Sequence, residues 1–189
     1  MILYSFILFP LCIEIETVLG CWLTEVPGYC AEFCSYHLIS SAFIFVATIG
    51  AIVIHATGKI KQLSFISGSL FLTNLPLVYL ALKIYTIPEL AYAVMLFTAI
   101  LNMFCTLLIT KSLVKQFNLM KIIKQFVKVT AIALMSSIPV VFLHLKMEQS
   151  FFRFIIVTIS YIFIMFFGSY FFLLDRQEQQ VIIRKLINY

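Results

Sequence analysis

Charge is what this sequence has least of: Asp, Glu, Lys and Arg make up 11% of its 189 residues, where soluble globular domains carry roughly 25%. So little charge cannot solvate a water-exposed surface. With 63% hydrophobic residues and a mean hydropathy of +1.09, the composition excludes a soluble domain and predicts an integral membrane protein. Glycine (6) and proline (5) are sparse, and no linker or internal repeat divides the chain, so it reads as one membrane domain. The 3 histidines, His37, His55 and His144, fall in different helices without metal-ligand spacing. No nucleophile with a base and no glycosidase-like pair of carboxylates can be assembled, so the sequence predicts no enzyme, no catalytic residue, no metal and no cofactor. The 5 cysteines are unevenly spaced, which argues against a disulfide scaffold; Cys30 and Cys34, one helical turn apart, read as packing rather than as ligands.

What the chain does have is apolar runs long enough to cross a bilayer, which takes about 20 helical residues. They predict an all-α polytopic protein of about six transmembrane helices. The spans lie at approximately residues 1–23, 33–56, 63–83, 90–110, 129–144 and 151–174, followed by a polar cytoplasmic tail at 175–189. The first apolar run, residues 1–13, is too short alone, so its span must continue through Glu14 and Glu16 to Trp22. A carboxylate at a helix centre costs about 2.5–3.5 kcal/mol by insertion scales. That places Glu14 and Glu16 near the outer end or against a protein interior, and makes them the leading functional candidates; capping a helix at the headgroup level is the equal alternative. The apolar run starts at the first residue with no basic flank, as expected of a helix belonging to a longer gene. Val18-Leu19-Gly20-Cys21 outlines a lipoprotein cleavage box, but two glutamates and the missing basic region count against it.

Glu25-Val26-Pro27-Gly28 marks an extracytoplasmic loop, with Trp22 and Tyr29 as interfacial anchors. The third span carries Asn74-Leu75-Pro76, so a kink and a protein-facing surface are expected near Asn74; Asn102 lies inside the fourth. Asn74, Pro76 and Asn102 are candidates to line a cavity, or simply bond across helices. Residues 111–128 alternate Lys115, Lys121, Lys124 and Lys128 with apolar residues, as in an interfacial helix leading into a span. The phenylalanines from Phe151 to Phe172 read as lipid-facing bulk.

Between the second and third spans, Thr57, Gly58 and Lys59 form a cytoplasmic turn: Gly58 supplies a permissive helix end, and Lys59 and Lys61 suit a helix C-terminus and an anionic leaflet. Gly58-Lys59 is no phosphate loop, because Gly50 is too far upstream and Ile60 stands where Ser or Thr is needed. With this turn inside, ten of the 13 basic residues fall on the cytoplasmic side and only Lys83, Lys146 and Arg153 on the other. The positive-inside rule therefore puts both termini in the cytoplasm. The formal net charge of +5 reflects membrane orientation and no nucleic-acid partner.

Three pieces resemble, in order and at the expected spacing, the flippases for lipid-linked oligosaccharides (O-antigen and capsular polysaccharide, Wzx type) of the multidrug/oligosaccharidyl-lipid/polysaccharide superfamily. They are Pro10-Leu11-Cys12-Ile13-Glu14 running on to Trp22-Leu23-Thr24-Glu25-Val26-Pro27-Gly28-Tyr29, then His55-Ala56-Thr57-Gly58-Lys59-Ile60, then Gly68-Ser69-Leu70-Phe71-Leu72-Thr73-Asn74-Leu75-Pro76. The resemblance runs from about Phe6 to the C-terminus and covers somewhat less than half of such a transporter, its helices nine to fourteen. It implies a bacterial inner-membrane protein, a partial flippase-like bundle, contacts with membrane lipids, and passage of a polyprenyl-diphosphate-linked oligosaccharide once the missing N-terminal helices complete it, for instance from a partner chain. Ile44, Ile49 and Thr106 stand where the family commonly has an acidic residue, proline and arginine. A piece of a multidrug or cation exporter of the same superfamily, and a small non-transporting membrane protein that binds partner subunits or lipids, are the alternatives.

Overall fold

A computed structural model describes residues 1–173; the expected cytoplasmic tail at 175–189 lies outside the described residues. The described chain is all helix. It runs α1 (Ile2–Ile13), α2 (Ile15–Trp22), α3 (Cys30–Ala56), α4 (Ile60–Ile84), α5 (Pro88–Leu113), α6 (Leu119–Lys146) and α7 (Phe151–Phe172). Helices α3 to α7 are each long and apolar enough to cross a membrane, so the protein is an all-α, multi-pass membrane protein.

The first expected span is not one helix. α1 and α2 meet at Glu14 with a bend of 76°, where Glu14 leaves helical geometry at φ −109° and ψ 22°. Length and hydropathy favour a single span here, but they do not register a side chain drawn sideways into the protein. The stretch before α6 also differs from expectation. Asn118 caps the helix by accepting from Lys121 N through its side chain at 3.1 Å, and the basic, amphipathic stretch from Leu119 on continues without a break into the span as one 28-residue helix. α4 runs uninterrupted through Pro76.

The described residues form two compact units: 1–22 together with 124–173, and Leu23–Ile123. In the second unit, α5 is the helix against which both α3 and α4 pack. Close approach rests on a missing side chain. A Cβ on Gly50 of α3 would sit 2.9 Å from Thr110 Oγ1 and 3.2 Å from Thr106 Cγ2 of α5, and Thr110 Oγ1 donates to the Gly50 carbonyl at 3.2 Å. Without a hydrophobic force between helices in lipid, such small-residue contacts and interhelical hydrogen bonds supply the association. At the other end of the same pair, Tyr92 stacks on Tyr36 at 4.6 Å and meets Phe33 edge-on at 4.2 Å. The turn between α3 and α4 has the expected form: Gly58 is left-handed at φ 72°, Thr57 Oγ1 donates to the Ile54 carbonyl at 2.7 Å, and Lys59 precedes α4.

In the first unit, Val129, Ala133 and Val140 of α6 and Val157, Tyr161 and Met165 of α7 make the buried core, with Ile2, Phe6, Phe9 and Ile13 of α1 laid against it. Phe9 stacks on Tyr161, ring centroids 6.0 Å apart. Phe151, Phe152, Phe163, Phe166, Phe167, Phe171 and Phe172 are exposed on α7, as expected of a lipid-facing surface.

Gly50→Leu should force α3 off α5 and destabilise the chain by about 1–3 kcal/mol, the usual cost of overpacking. Unfolding of the purified chain in a denaturing detergent series measures this; a stability equal to the native chain's would refute the close-packing account.

Candidate functional site

Three elements of the first unit converge on Glu14. Its side chain is fully buried, at 0% exposure, although it lies in a chain segment that is otherwise apolar. Each carboxylate oxygen is occupied. Oε1 meets His144 Nδ1 at 2.6 Å. Oε2 accepts from Arg153 Nη2 at 3.0 Å and Nε at 3.3 Å, and from Thr17 Oγ1 at 2.7 Å.

Each partner comes from a different place for a local reason. Thr17 lies three residues on from Glu14, in the first turn of α2, so the bend itself brings the hydroxyl under the carboxylate. His144 lies in the last turn of α6 and is partly exposed, at 26%. Arg153 lies in the first turn of α7, whose N-terminus is capped by Ser150 accepting from Phe152 N at 3.3 Å. The guanidinium, 9% exposed, also donates from Nη1 to the Met147 carbonyl at 3.2 Å and from Nη2 to Thr17 Oγ1 at 3.0 Å. One carboxylate thus ties together the α1–α2 corner, the end of α6, the 147–150 loop and the start of α7.

The arrangement obeys the rule for charge in a low-dielectric interior: a buried ion must be paired and its remaining hydrogen-bonding capacity used. Two further polar groups of α7 do not obey it. Tyr161 OH and Thr158 Oγ1 are buried with no hydrogen-bond partner among the described residues, and Tyr161 lies two turns, about 12 Å, along α7 from Arg153.

The remaining sequence candidates are scattered. Glu16 is exposed on α2 and joins no part of the Glu14 cluster. In the second unit, Asn74 is half-buried and lies 3.4 Å from the Thr98 hydroxyl; Pro76 is exposed. Asn102 is buried, and its Oδ1 accepts from Ser67 Oγ at 2.9 Å. It lies on an open cleft of about 280 Å³ between α3 and α4 with α5 as its floor, where Thr48, His55, Ser64, Ser67 and Thr106 add polar atoms and Phe71 an apolar wall. Ile44 and Thr106, two positions where the flippase resemblance leads one to expect opposite charges, both line this cleft. The cleft is therefore uncharged along α3 and α5 apart from His55 at its rim. Thr57, Gly58 and Lys59 form the turn beyond it.

Glu14 stands out in the sequence, but its partners do not. His144 reads alone as a helix-end histidine, and Arg153 as one of three basic residues on the sparsely charged side. The available signal was depth: Glu14, His144 and Arg153 are all expected at the same membrane face, within a few residues of a span end. Among the described residues, no three His, Cys, Asp or Glu side chains converge as a metal site.

Fold and site together define a multi-pass helical membrane protein with a buried, hydrogen-bonded ion pair at the sharp bend between two short helices. The chain matches no protein-family model, no curated protein and no solved structure.

Removing one side of the pair should expose how much depends on it. Arg153→Met is expected to lose about 3–5 kcal/mol, the cost of removing one charged partner from a buried pair. Arg153→Lys should retain part of that, since a lysine keeps the charge but cannot reproduce the guanidinium's fork. Equal stability of native chain and Arg153→Met in detergent unfolding would show that the cluster contributes nothing.

Proposed function

We propose that this chain is part of a flippase that passes a polyprenyl-diphosphate-linked oligosaccharide across the bacterial inner membrane, supplying the portion that resembles the last six helices of such transporters. The observation that carries the reading is the ionised pair Glu14–Arg153 held inside the protein at a discontinuous helix. Ionisable residues within spans are rare and mark transport pathways or their couplings, and broken helices are a recurrent device of transporters for placing polar groups at membrane depth.

The three resembling pieces also occupy distinct structural positions that suit such a protein. The first is the broken α1–α2 span and the loop after it; the second is the α3–α4 turn; the third lies on α4, where Ser67 and Asn74 bond to α5. A polyprenyl-linked substrate is amphipathic, and the open cleft between α3 and α4 offers both hydroxyls and an apolar wall, as such a substrate requires. Six helices do not supply the two units that alternate about a transport site, so the proposal includes a completing partner, either an upstream part of the same product or a second chain.

Deleting the coding segment in the native bacterium tests this. Surface polysaccharide should fall to background while polyprenyl-diphosphate-linked repeat units accumulate in the inner membrane, and restoring the segment in place should reverse both. Unchanged surface glycan with new sensitivity to cationic drugs would contradict the flippase reading in favour of the exporter. Unchanged glycan and unchanged drug tolerance would leave a non-transporting membrane protein.

A further inference from the structure

The Glu14 cluster holds more ionisable groups than an ion pair needs. Arg153 and Thr17 already satisfy Oε2, yet Oε1 is given over to His144, whose imidazole can carry one ring proton or two. His144 is also the exposed member. It lies two residues before the end of α6, beside the short loop in which Glu148, Gln149 and Ser150 are exposed, so the side chain is partly open while Nδ1 faces a buried carboxylate.

We infer that His144 is a proton-binding latch, which takes up one proton at Nε2 from the aqueous edge and so changes how firmly the end of α6 is held to the hinge between α1 and α2. The balance is simple. With neutral imidazole, Nδ1–H donates to Oε1, and the carboxylate and guanidinium sum to zero. A proton added at Nε2 makes the ring an imidazolium and raises the cluster to +1. Placing that proton on Glu14 would leave the buried Arg153 guanidinium without its counter-ion, which is the costlier arrangement, so the ring holds it.

The 2.6 Å contact, already charge-assisted on the carboxylate side, then also joins two opposite full charges and is strengthened by their attraction. Glu14 is the residue at which the chain turns through 76°, so a stronger pull from α6 on Oε1 acts directly on the hinge, against Arg153 and Thr17 pulling on Oε2. The charged groups facing His144 are Glu14 from the corner and Arg153 from α7. On its own helix Lys146 lies over the Phe142 ring at 4.4 Å, and Glu148 and Glu16 are exposed. Proton rather than metal-ion binding follows from the same geometry. Both carboxylate oxygens are occupied by nitrogen and hydroxyl donors, and a guanidinium occupies the place a second cation would need.

The chain carries its own reporter, because its only tryptophan, Trp22, ends α2 and is exposed. Trp22 emission is followed for the full chain in lipid nanodiscs across about pH 5 to 8, the range in which histidine changes charge. The native chain should show a reversible change in emission. His144→Gln should lie flat at the high-pH emission and His144→Lys flat at the low-pH emission, while His37→Gln and His55→Gln keep the native response; monodispersity and helical circular dichroism establish that each variant is folded. A native chain with flat emission, or a pH response that persists in folded His144→Gln, overturns the inference. The latch does not depend on the cargo proposed above, so a failed flippase test leaves it standing and a failed latch leaves the flippase reading intact.

Discussion

A carboxylate that leaves water must find its counter-charge inside the protein, and in this chain that constraint organises one of the two units. Glu14 has no exposed atom to solvate it. The helix breaks at Glu14 and not at Pro10, four residues earlier inside α1, because the side chain is drawn to Arg153, Thr17 and His144. The ends of α6 and α7 are fixed by the same residue. Below the cluster the unit is ordinary apolar packing, Phe9 on Tyr161 and Val129, Ala133 and Val140 against α7, which sets density but gives α1 no unique register by itself. The ion pair adds directional contacts from the α1–α2 corner to α6 and α7.

The second unit solves the same problem of holding helices together without ions. α5 is gripped through small residues and hydroxyls: Gly50 against Thr106 and Thr110, Ser67 on Asn102, Thr98 near Asn74. In a lipid solvent these contacts matter because apolar side chains gain nothing by exchanging lipid for protein. The long exposed faces of α4 and α7 are the other side of that fact; they are apolar because their solvent is. Between α3 and α4, α5 is the floor of a cleft in which several hydroxyls and an amide meet accessible space beside apolar walls.

The helical spans were legible because their signal is local: five apolar runs of the right length became α3 to α7. The turn between α3 and α4 was legible too, since Gly58 adopts the left-handed backbone its position called for. The break at Glu14 was not, because residues 1–13 are too short to span and composition alone argues for extending the same helix through the glutamate. The merging of the basic segment with α6 was hidden for a similar reason; Asn118 is an ordinary polar residue until it caps. Glu14 could be singled out from sequence because a carboxylate in an apolar run is conspicuous. Its partners lie 130 and 139 positions away, and no periodicity links residues at such separations. Asn74 and Pro76 drew notice as a helix-disturbing pair, but only Asn74 meets another helix.

The central claim is that Glu14 and Arg153 act as a pair, and exchanging them tests it most directly. In Glu14→Arg each change alone would bury two like charges, and Arg153→Glu would do the same with opposite sign, so each single variant should fail to accumulate as a folded, monodisperse protein in the membrane. The account predicts that the chain carrying both changes recovers a substantial part of the native folded yield, because attraction between the two positions is restored. A double variant that accumulates no better than the worse single variant would contradict it.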